Sequence, residues 1–342
     1  MKALILEGIK SFKENRQPLT LAEMPVPSIA DEEILVKVSA CGVCHTELDE
    51  IEGRTPPTSF PVILGHQIVG KVIERGARAK KFEVDDRVGA GWIYWACSKC
   101  PQCLAGNENL CADFQATGRD AHGGYAQYFK VHQKFAFELA EIFTDAQAAP
   151  LLCAGAIGYR SLRLTNLADG QNLGLTGFGA SAHLVLKLSQ FLYPQSKIFV
   201  FARSERERNF ARDLGAAWAG DTSEKPPEKL QAIIDTTPAW KPVVEALKNL
   251  APGGRLVINA IRKEEADKGY LLKLDYAKHL WQEKEIKSVA NVARQDIEEF
   301  LNLAVKIPII PEVEEYPWEK ANRALAELKE GKIKGAKVLR VN

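Results

Sequence analysis

The first 150 residues carry short apolar runs that alternate with polar positions and are interrupted by Gly and Pro. Three such runs are Ile34 to Val38, Val62 to Leu64 and Ile68 to Ile73. Alternation with a period of two, bounded by turn residues, is typical of strands that bury one face. This half of the chain is therefore predicted to be mostly β-structure.

From residue 172 the pattern changes, because strand-like apolar runs now alternate with segments of helical periodicity. The predicted elements are, in chain order, a strand Leu173 to Thr176, a helix near Ala182 to Leu192, a strand Ile198 to Phe201, a helix Glu205 to Leu214, a strand Ile233 to Asp235, a helix near Val243 to Asn249 and a strand Arg255 to Asn259. Strands alternating with helices predict a doubly wound parallel sheet, so the expected fold class is α/β with a second, β-rich part.

Helical patterns also connect the two halves and close the chain. Thr144 or Asp145 is placed to cap a long helical stretch that runs through Cys153 to Arg163. The elements predicted for the tail are helices near Asp296 to Val305 and Trp318 to Glu330 and a last strand at Val338 to Val341.

The composition is that of an ordinary globular chain. With 342 residues, of which 46% are hydrophobic and 26% charged, about two domains are expected. The 45 basic and 44 acidic residues nearly cancel, so we expect no nucleic-acid partner. No membrane span is visible, and the apolar start Ala3 to Leu6 is broken by Glu7, unlike a secretory signal. We therefore expect no membrane partner and a cytoplasmic location.

Four cysteines lie close together, in the spacing Cys97-x2-Cys100-x2-Cys103-x7-Cys111. Zinc takes four thiolates at about 2.3 Å in a structural site, which leaves no position for water or substrate. The alternative is a pair of disulfides, which a chain without a secretory signal disfavours. The spacing therefore predicts a structural zinc that holds a loop together.

A glycine-rich turn follows the first strand of the second half, as Gly177-Phe-Gly179-Ala-Ser-Ala182. Gly177 would allow the tight turn, Gly179 the close approach of a pyrophosphate, and Ala182 close packing of helix on sheet. Glycines also occur in such turns for backbone reasons alone, but the strand and helix on either side favour dinucleotide binding.

The expected acidic residue at the end of the second strand is missing. Arg203 and Ser204 stand where a carboxylate would otherwise bind the ribose 2′-hydroxyl and repel a 2′-phosphate. This favours NADP over NAD as the cofactor, although NAD stays possible. Alternatively, Ser204 caps the next helix while Arg203 is a solvated surface charge, and both interpretations can hold at once.

Three further motifs stand in order with the cysteine loop, the nucleotide turn and the final Gly335-Ala-Lys-Val segment: Cys41-Gly-Val-Cys44-His45-Thr46-Glu47-Leu48-Asp49, Gly65-His66-Gln67-Ile-Val-Gly70 and Leu151-Leu-Cys153-Ala-Gly155. In these motifs and their order the chain resembles the zinc-dependent medium-chain alcohol dehydrogenases over nearly its whole length.

The resemblance implies a fold and its domains. Residues 1–153 would form a β-rich, GroES-like catalytic domain with the structural zinc loop at 97–111. Residues 154–291 would form a Rossmann dinucleotide-binding domain, and residues 292–342 would return to the catalytic domain. Relatives of this kind are often homo-oligomers, so a tetramer or a dimer is expected.

The resemblance also implies the site residues. A catalytic zinc would be held by Cys44, His66 and Cys153, and a structural zinc by Cys97, Cys100, Cys103 and Cys111, which leaves Cys41 as a spare, buried thiol. The open fourth position of the first zinc would meet the oxygen of an alcohol or carbonyl substrate while a hydride passes to or from a nicotinamide. Thr46 would hydrogen-bond that oxygen and start a proton path, unless it merely caps a short helix. His45 would lie near the pyrophosphate.

Four positions depart from the family pattern. Gln67 replaces a common Glu, and Ala336 replaces an Arg that approaches it, which we interpret as a neutral substitute for an ion pair. Whether Lys337 then reaches the cofactor phosphates is left open. Glu47 replaces the Asp that orients the zinc-binding histidine. Asp49 replaces a His that ends the proton path, and it could still exchange protons with water.

The substrate pocket is implied by resemblance as well. Trp92 would line it, and Thr55 stands where small-alcohol enzymes carry a bulky aromatic residue. The pocket is therefore expected to be wide, unless Trp95 or Phe114 refills it. Medium aliphatic or aromatic alcohols and aldehydes are the expected substrates.

Two other function classes are considered. One is a zinc-independent quinone or enone reductase of the same fold, against which the complete Cys44, His66 and Cys153 set argues. The other is a non-catalytic zinc and nucleotide-binding protein, which would not explain an open zinc position.

Overall fold

The computed structural model describes residues 1–331 and 335–341. The chain divides into two compact units, of which the first contains residues 1–156 and those from Val292 onward, and the second contains residues 157–291. The domain boundaries implied by the resemblance stay a prediction.

Most strands belong to the first unit, in keeping with the alternating pattern of that part of the sequence. The strands are β1 (Lys2–Leu6), β2 (Leu19–Glu23), β3 (Glu33–Val43), β4 (Val62–Ile63), β5 (Ile68–Arg75), β6 (Arg87–Ala90), β7 (Ile93–Trp95), β8 (Gln115–Ala116), β9 (Tyr128–His132), β10 (Ala136–Glu138), β11 (Leu173–Thr176), β12 (Ile198–Phe201), β13 (Trp218–Gly220), β14 (Leu230–Asp235), β15 (Leu250–Ile258), β16 (Glu285–Ser288), β17 (Val313–Pro317) and β18 (Ala336–Arg340).

The α-helices are short, and the longest have 13 residues. They are α1 (His45–Ile51), α2 (Pro101–Leu104), α3 (Asp145–Pro150), α4 (Ala156–Thr165), α5 (Ala180–Leu192), α6 (Glu205–Asp213), α7 (Lys241–Asn249), α8 (Arg294–Lys306) and α9 (Ala321–Lys329). Within the ranges that the structure describes, no helix is both long and apolar enough to cross a membrane.

The largest sheet of the first unit is built around β3. Its order is β10-β6-β5-β3-β18-β17, and β9 pairs with β3 beyond this path. β3 pairs antiparallel with both β5 and β18, so strands from the two ends of the chain lie side by side. The C-terminal strand therefore completes a sheet that begins within the first fifty residues.

The second unit contains a parallel sheet in the order β13-β12-β11-β14-β15-β16. This is the doubly wound order in which the direction of winding reverses between β11 and β14. Strands β11, β12 and β14 are mainly apolar and buried, as is typical of a parallel sheet covered on both faces. Phe199, Ile233 and Leu256 are buried together with Leu247 of α7. The predicted α/β class, with a Rossmann sheet and a separate β-rich part, is confirmed.

The predicted helix that joins the two halves is interrupted. Thr144 caps α3, because its hydroxyl accepts a hydrogen bond from Gln147 N at 3.2 Å while Thr144 N donates to the Gln147 side chain at 3.0 Å. Helical structure then continues to Thr165, but residues Leu151–Gly155 form a wider π-helical turn. Such turns are often found at functional sites, and this one contains Cys153.

The alternating pattern did not indicate β13, β16 or β17. All four residues of β16, Glu285 to Ser288, are exposed, so no apolar periodicity marks this strand at the edge of the sheet. β17 reads Val-Glu-Glu-Tyr-Pro, in which Tyr316 is the buried residue. Backbone pairing with a neighbour, rather than burial, defines these strands.

Lys337 lies on β18 with its side chain almost completely buried. Its ammonium donates to Glu314 at 2.7 Å, to the Tyr316 hydroxyl at 2.5 Å and to Glu327 at 3.0 Å. A buried ammonium is tolerated when its protons are satisfied in this way. All three protons are thus used within the first unit, and whether Lys337 reaches a cofactor phosphate stays open.

We predict that Glu327→Gln lowers stability near pH 7 more than near pH 3. Hydrogen bonds from Tyr316, Arg323 and Lys337 lower the pKa of Glu327 to about 2. A carboxyl whose pKa is depressed on folding stabilises the fold above its unfolded pKa of about 4.3, and this stabilisation is lost as the pH falls towards 2. Urea unfolding at several pH values measures the free energy of unfolding of both proteins.

The matched control is Glu315→Gln. This variant removes an exposed carboxylate of β17, one oxygen of which lies 3.5 Å from the Arg340 guanidinium. Its effect on the free energy of unfolding should be small at every pH. The explanation would be wrong if the wild type and Glu327→Gln differed equally at pH 7 and pH 3.

Candidate active site

Cys44, His66 and Cys153 come together although they are far apart in the sequence. Their sulfur and ring nitrogen atoms all lie within 4.8 Å of one another, and His66 Nε2 is 3.3 Å from Cys153 Sγ. Cys44 precedes α1, His66 lies between β4 and β5, and Cys153 lies in the π-helical turn. Three separate elements thus supply one side chain each.

The pairing of β3 with β5 explains why two of these side chains meet. Cys41 is opposite Ile68 in this antiparallel pair. Cys44 lies three residues beyond Cys41 and His66 two residues before Ile68, so both fall at the same end of the two strands. Gly65 precedes the histidine with φ of +94°, and the Tyr125 ring fills the space that a side chain there would need.

Glu47 fixes the orientation of His66. A Glu47 carboxylate oxygen is 2.6 Å from His66 Nδ1, and the other oxygen accepts a hydrogen bond from Cys44 N at 2.6 Å. Burial raises the pKa of Glu47. Burial alone would lower the pKa of His66, but Glu47 and Cys44 raise it overall. With Nδ1 held in this way, Nε2 is the ring atom that faces the two sulfurs.

The two sulfurs shift each other's pKa in opposite directions. A hydrogen bond from Cys153 is the largest influence on Cys44, and it lowers the pKa of that thiol well below its usual value. The same hydrogen bond raises the pKa of Cys153. Thiolate is the form of cysteine that binds metals, so the environment already favours the ligand form at Cys44.

These donors fit zinc. Tetrahedral zinc, with sulfur at about 2.3 Å and nitrogen at about 2.0 Å, brings its ligand atoms to roughly 3.5 to 3.8 Å of one another. The distances within the Cys44, His66 and Cys153 cluster are close to this range. Two thiolates and an imidazole are also the protein ligands of the catalytic zinc in alcohol dehydrogenases.

The four-cysteine loop forms a second cluster in the first unit. Its ligand atoms, from Cys97, Cys100, Cys103 and Cys111, likewise lie within 4.8 Å of one another. Backbone amides point at the sulfurs, with Cys97 N 3.4 Å from Cys111 Sγ and Cys100 N 3.3 Å from Cys97 Sγ. Hydrogen bonds from the amides of Lys99 and Cys100 lower the pKa of Cys97 to about 6. All seven cysteines are free thiols, and four converging sulfurs suit a fully ligated zinc.

Thr46 lies beside the first cluster, whereas His45 and Asp49 have different surroundings. The Thr46 hydroxyl is 3.6 Å from Cys44 Sγ and the side chain is buried. α1 is capped by Cys44, so Thr46 does not cap it. His45 is exposed at the first position of α1, and Asp49 is buried with its carboxylate 2.6 Å from Arg54 Nε.

Neutral side chains occupy the two positions where the family often has a Glu and an Arg. Gln67 is buried, and its amide lies against Gly42, where it fills the space that a side chain would need. Ala336 is buried at the start of β18. Cys41 is fully buried, as expected of a spare thiol, and burial raises its pKa. None of these residues brings a charge to the site.

Glu50 is a buried residue that no motif in the sequence indicated. It lies one helical turn after Glu47 and is fully buried, and neither carboxylate oxygen has a hydrogen-bond partner among residues 1–331 and 335–341. Burial and the charge of Glu47 raise its pKa well above the usual value, so the neutral acid is favoured. The spacing of three residues from Glu47 on a short helix was the only signal in the sequence.

Trp92, which is expected to line the substrate pocket, packs against Phe114, one of the two residues that could narrow it. Their ring centroids are 5.1 Å apart, and the Arg119 guanidinium lies 5.2 Å from the centre of the Trp92 ring. Trp92 Nε1 and the Thr55 hydroxyl are buried without a hydrogen-bond partner in the described part of the chain. Trp95 packs elsewhere, with its ring 5.8 Å from Phe135.

The nucleotide turn has the expected form in the second unit. Gly177 follows β11 with φ of +77°, which favours glycine. Gly179 precedes α5, and a Cβ atom placed on it would have no neighbour within 4 Å, so the backbone there is open to close approach. Ala182 is fully buried on the inner side of α5. This arrangement suits a pyrophosphate at the N-terminus of the helix.

Ser204 and Arg203 differ in their surroundings. The Ser204 hydroxyl accepts a hydrogen bond from Glu207 N at 3.2 Å and donates to the Glu207 carboxylate at 2.6 Å, so it caps α6. Arg203 is exposed, and its guanidinium has no ion-pair partner among the residues that the structure describes. The sequence did not indicate that Glu207 would take the serine hydroxyl.

Comparisons with known proteins agree with this geometry. Residues 30–141 match the alcohol dehydrogenase GroES-like domain. The chain is 42% identical over 327 residues to the probable alcohol dehydrogenase AdhA of Mycobacterium tuberculosis (strain CDC 1551 / Oshkosh), an alignment that spans 94% of this chain and 92% of that protein.

Two solved structures share the fold. The CAD of Helicobacter pylori, in complex with NADP(H), superposes with a TM-score of 0.87 at 22% identity, over 99% of this chain and 97% of that one. Cinnamyl alcohol dehydrogenase SbCAD4 of Sorghum bicolor gives a TM-score of 0.87 at 24% identity, with the same coverage. At these identities the likeness concerns the fold alone.

We predict that Cys100→Ser removes the zinc of the cysteine loop and leaves the other site loaded. Three thiolates and a hydroxyl bind zinc much more weakly than four thiolates. The zinc content per chain should fall by about half, and the thermal midpoint by about 5 °C or more, as expected for a loss of about 2 kcal/mol. Elemental analysis and thermal unfolding measure the two quantities.

The control is Cys41→Ala, which removes a buried thiol outside both clusters and should keep the zinc content of the wild type. An unchanged zinc content in Cys100→Ser would contradict the assignment. Trypsin should also cleave Cys100→Ser faster at Lys99 than it cleaves the wild type, because the loop would lose its anchor.

Proposed function

Because the chain belongs to the zinc-dependent medium-chain alcohol dehydrogenases, we propose that it interconverts alcohols with aldehydes or ketones by using one catalytic zinc ion and a nicotinamide cofactor. The observation that carries this proposal is the convergence of Cys44, His66 and Cys153, with Glu47 holding the far side of the imidazole. Three protein ligands leave a fourth position of a tetrahedral ion for the substrate.

Each residue near this position has a proposed task. Zinc held by Cys44, His66 and Cys153 would supply Lewis-acid stabilisation of negative charge on the substrate oxygen. Glu47 keeps the Nδ1 proton of His66, so that the Nε2 lone pair is free to bind metal. The Thr46 hydroxyl, beside Cys44 Sγ, would hydrogen-bond the substrate oxygen and pass on its proton.

The last step of the proposed proton path concerns Asp49. Asp49 was expected to exchange protons with water, but it is buried and paired with Arg54. Any proton that leaves through Asp49 would therefore have to weaken this ion pair. His45 is exposed and free to meet a phosphate of the cofactor. A homo-oligomeric state and a cytoplasmic location also stay predictions.

NADP is the proposed cofactor, bound at the turn formed by Gly177, Gly179 and Ala182. The support for NADP is Arg203, an exposed guanidinium directly after β12, where a 2′-phosphate would be recognised. Ser204 contributes less than expected because its hydroxyl is engaged by Glu207. NAD is the alternative cofactor.

Medium-sized aliphatic and aromatic aldehydes are the proposed substrates. Thr55 is small, and the Trp92 and Phe114 rings would offer aromatic surface to an apolar substrate. The first experiment measures initial rates of NADPH and NADH oxidation with a panel of such aldehydes on zinc-loaded protein. Turnover that survives complete removal of zinc would instead indicate the zinc-independent reductase.

We predict that Cys44→Ser and His66→Ala each lower kcat more than about a hundredfold, because the loss of a direct metal ligand exceeds the effect of losing a supporting contact. Both variants should fold and keep the zinc of the cysteine loop. Rates with the best aldehyde of the panel, together with zinc content, are the measurements, and Cys41→Ala is the active control. Full activity in either variant would refute the zinc mechanism.

We predict that Arg203→Ala lowers the ratio of kcat/KM for NADPH to that for NADH about tenfold, which corresponds to about 1.4 kcal/mol. Glu207→Gln should raise the same ratio a few-fold, because it removes a negative charge beside Ser204. Arg206→Ala, which removes an exposed arginine from the same helix, is the matched control. Equal ratios in Arg203→Ala and the wild type would show that Arg203 is only a surface charge.

A further inference from the structure

Asp235 and Lys263 form a buried ion pair in the second unit. Asp235 is the last residue of β14 and is fully buried, and the Lys263 side chain is 8% exposed. The Lys263 ammonium contacts one Asp235 oxygen and also donates to the carbonyls of Thr237 at 2.7 Å and Ala239 at 3.1 Å. All three ammonium protons are therefore satisfied away from water.

The other oxygen of Asp235 joins two further segments. It accepts hydrogen bonds from the Thr176 hydroxyl at 2.5 Å and the Thr237 hydroxyl at 2.8 Å. Thr176 is the last residue of β11 and lies directly opposite Asp235 in the parallel pair. One carboxylate thus ties together the end of β11, the loop after β14 and, through Lys263, the segment after β15.

The loop that this pair holds forms a wall of the glycine turn. Thr236 N and the Thr236 hydroxyl both donate to Thr176 O at 3.0 Å. A Cβ atom on Gly177 would lie 2.9 Å from the Thr236 hydroxyl and 2.9 Å from Thr237 Cγ2. β11 and β14 are the strands between which the winding reverses, and ligands of such sheets bind outside their carboxyl ends.

Stability alone is a weak reason for such a pair. Replacing a buried ion pair by apolar residues of similar size is often neutral or stabilising. The rest of β14 is largely apolar, so its single carboxylate stands out at the end where the cofactor is proposed to bind.

We propose that Asp235 and Lys263 are positioning residues for the dinucleotide, which keep the Thr236–Thr237 loop against Gly177 so that the turn is ready to receive the cofactor. The inference rests on the proposed binding of a nicotinamide dinucleotide at this turn. Neither residue needs to touch the cofactor, because both act through the loop.

The test compares Lys263→Met with the double variant Asp235→Leu/Lys263→Met. Cofactor affinity is measured by fluorescence titration with NADPH and NADH, and the thermal midpoint is measured without cofactor. Lys263→Met should weaken binding about tenfold and raise the KM for cofactor more than it lowers kcat. The double variant should regain the thermal midpoint but keep the weak binding, because its apolar side chains bond neither the carbonyls of Thr237 and Ala239 nor the hydroxyl of Thr176.

The matched control is Lys284→Met. Lys284 also donates to two backbone carbonyls, those of Leu247 and Lys278, each at 2.9 Å, but it lies just before β16 at the opposite end of the sheet. This variant should change cofactor affinity by less than about twofold whatever its effect on the thermal midpoint.

The outcomes separate this inference from the proposed function. Wild-type affinity in the double variant, or recovery of affinity together with the thermal midpoint, would overturn the positioning role while the wild type still binds cofactor. A wild type that binds neither nucleotide would overturn the proposed function, and this inference with it. Loss of folding in Lys263→Met alone leaves the double variant to decide.

Discussion

The contact of 2.6 Å between Glu47 and His66 Nδ1 is the interaction on which the candidate site depends. It fixes which ring nitrogen of His66, namely Nε2, points at the two sulfurs. The second Glu47 oxygen holds Cys44 N, so the same carboxylate anchors the start of α1 and the first cysteine. Glutamate is one methylene longer than the aspartate usual in this family, and the short helix still brings its carboxylate to both partners. One side chain thus positions two of the three proposed metal ligands.

The sequence predicted the two clusters of cysteine and histidine side chains better than their surroundings. Cysteine and histidine have few roles at such spacings, so Cys44, His66, Cys153 and the cysteine loop could be identified from motifs. The boundaries of β11 and β12 followed from apolar runs, whereas β16 is fully exposed and left no such pattern. The burial of Glu50 and the pairing of Asp49 with Arg54 depend on how distant segments pack, and local spacing carries no information about that.

The neutral positions Gln67 and Ala336 are consistent with how this chain handles buried charge. A guanidinium at Ala336 would need a buried carboxylate near it, and Gln67 offers none. The next residue, Lys337, is charged and buried, but strand β17 supplies Glu314 and Tyr316 as partners on the other side of β18. Alternation of side chains along a strand therefore separates the neutral face from the charged one. A shift of one residue in register would have placed the ammonium on the opposite face of the sheet, away from Glu314 and Tyr316.

The loops that follow β12 and β14 differ in whether their charged side chains are exposed or buried. After β12, Arg203 is exposed and lacks an ion-pair partner in the described part of the chain, so an incoming anion meets it at little cost in desolvation. After β14, Asp235 and Lys263 are buried and saturated, and neither can change partners without stranding a charge. A loop with an exposed, unpaired charge can discriminate between ligands by their charge. A loop held by a buried ion pair can affect ligands only through its own fixed conformation. We therefore assign the proposed discrimination between NADP and NAD to the segment after β12, and the proposed shaping of the glycine turn to the segment after β14.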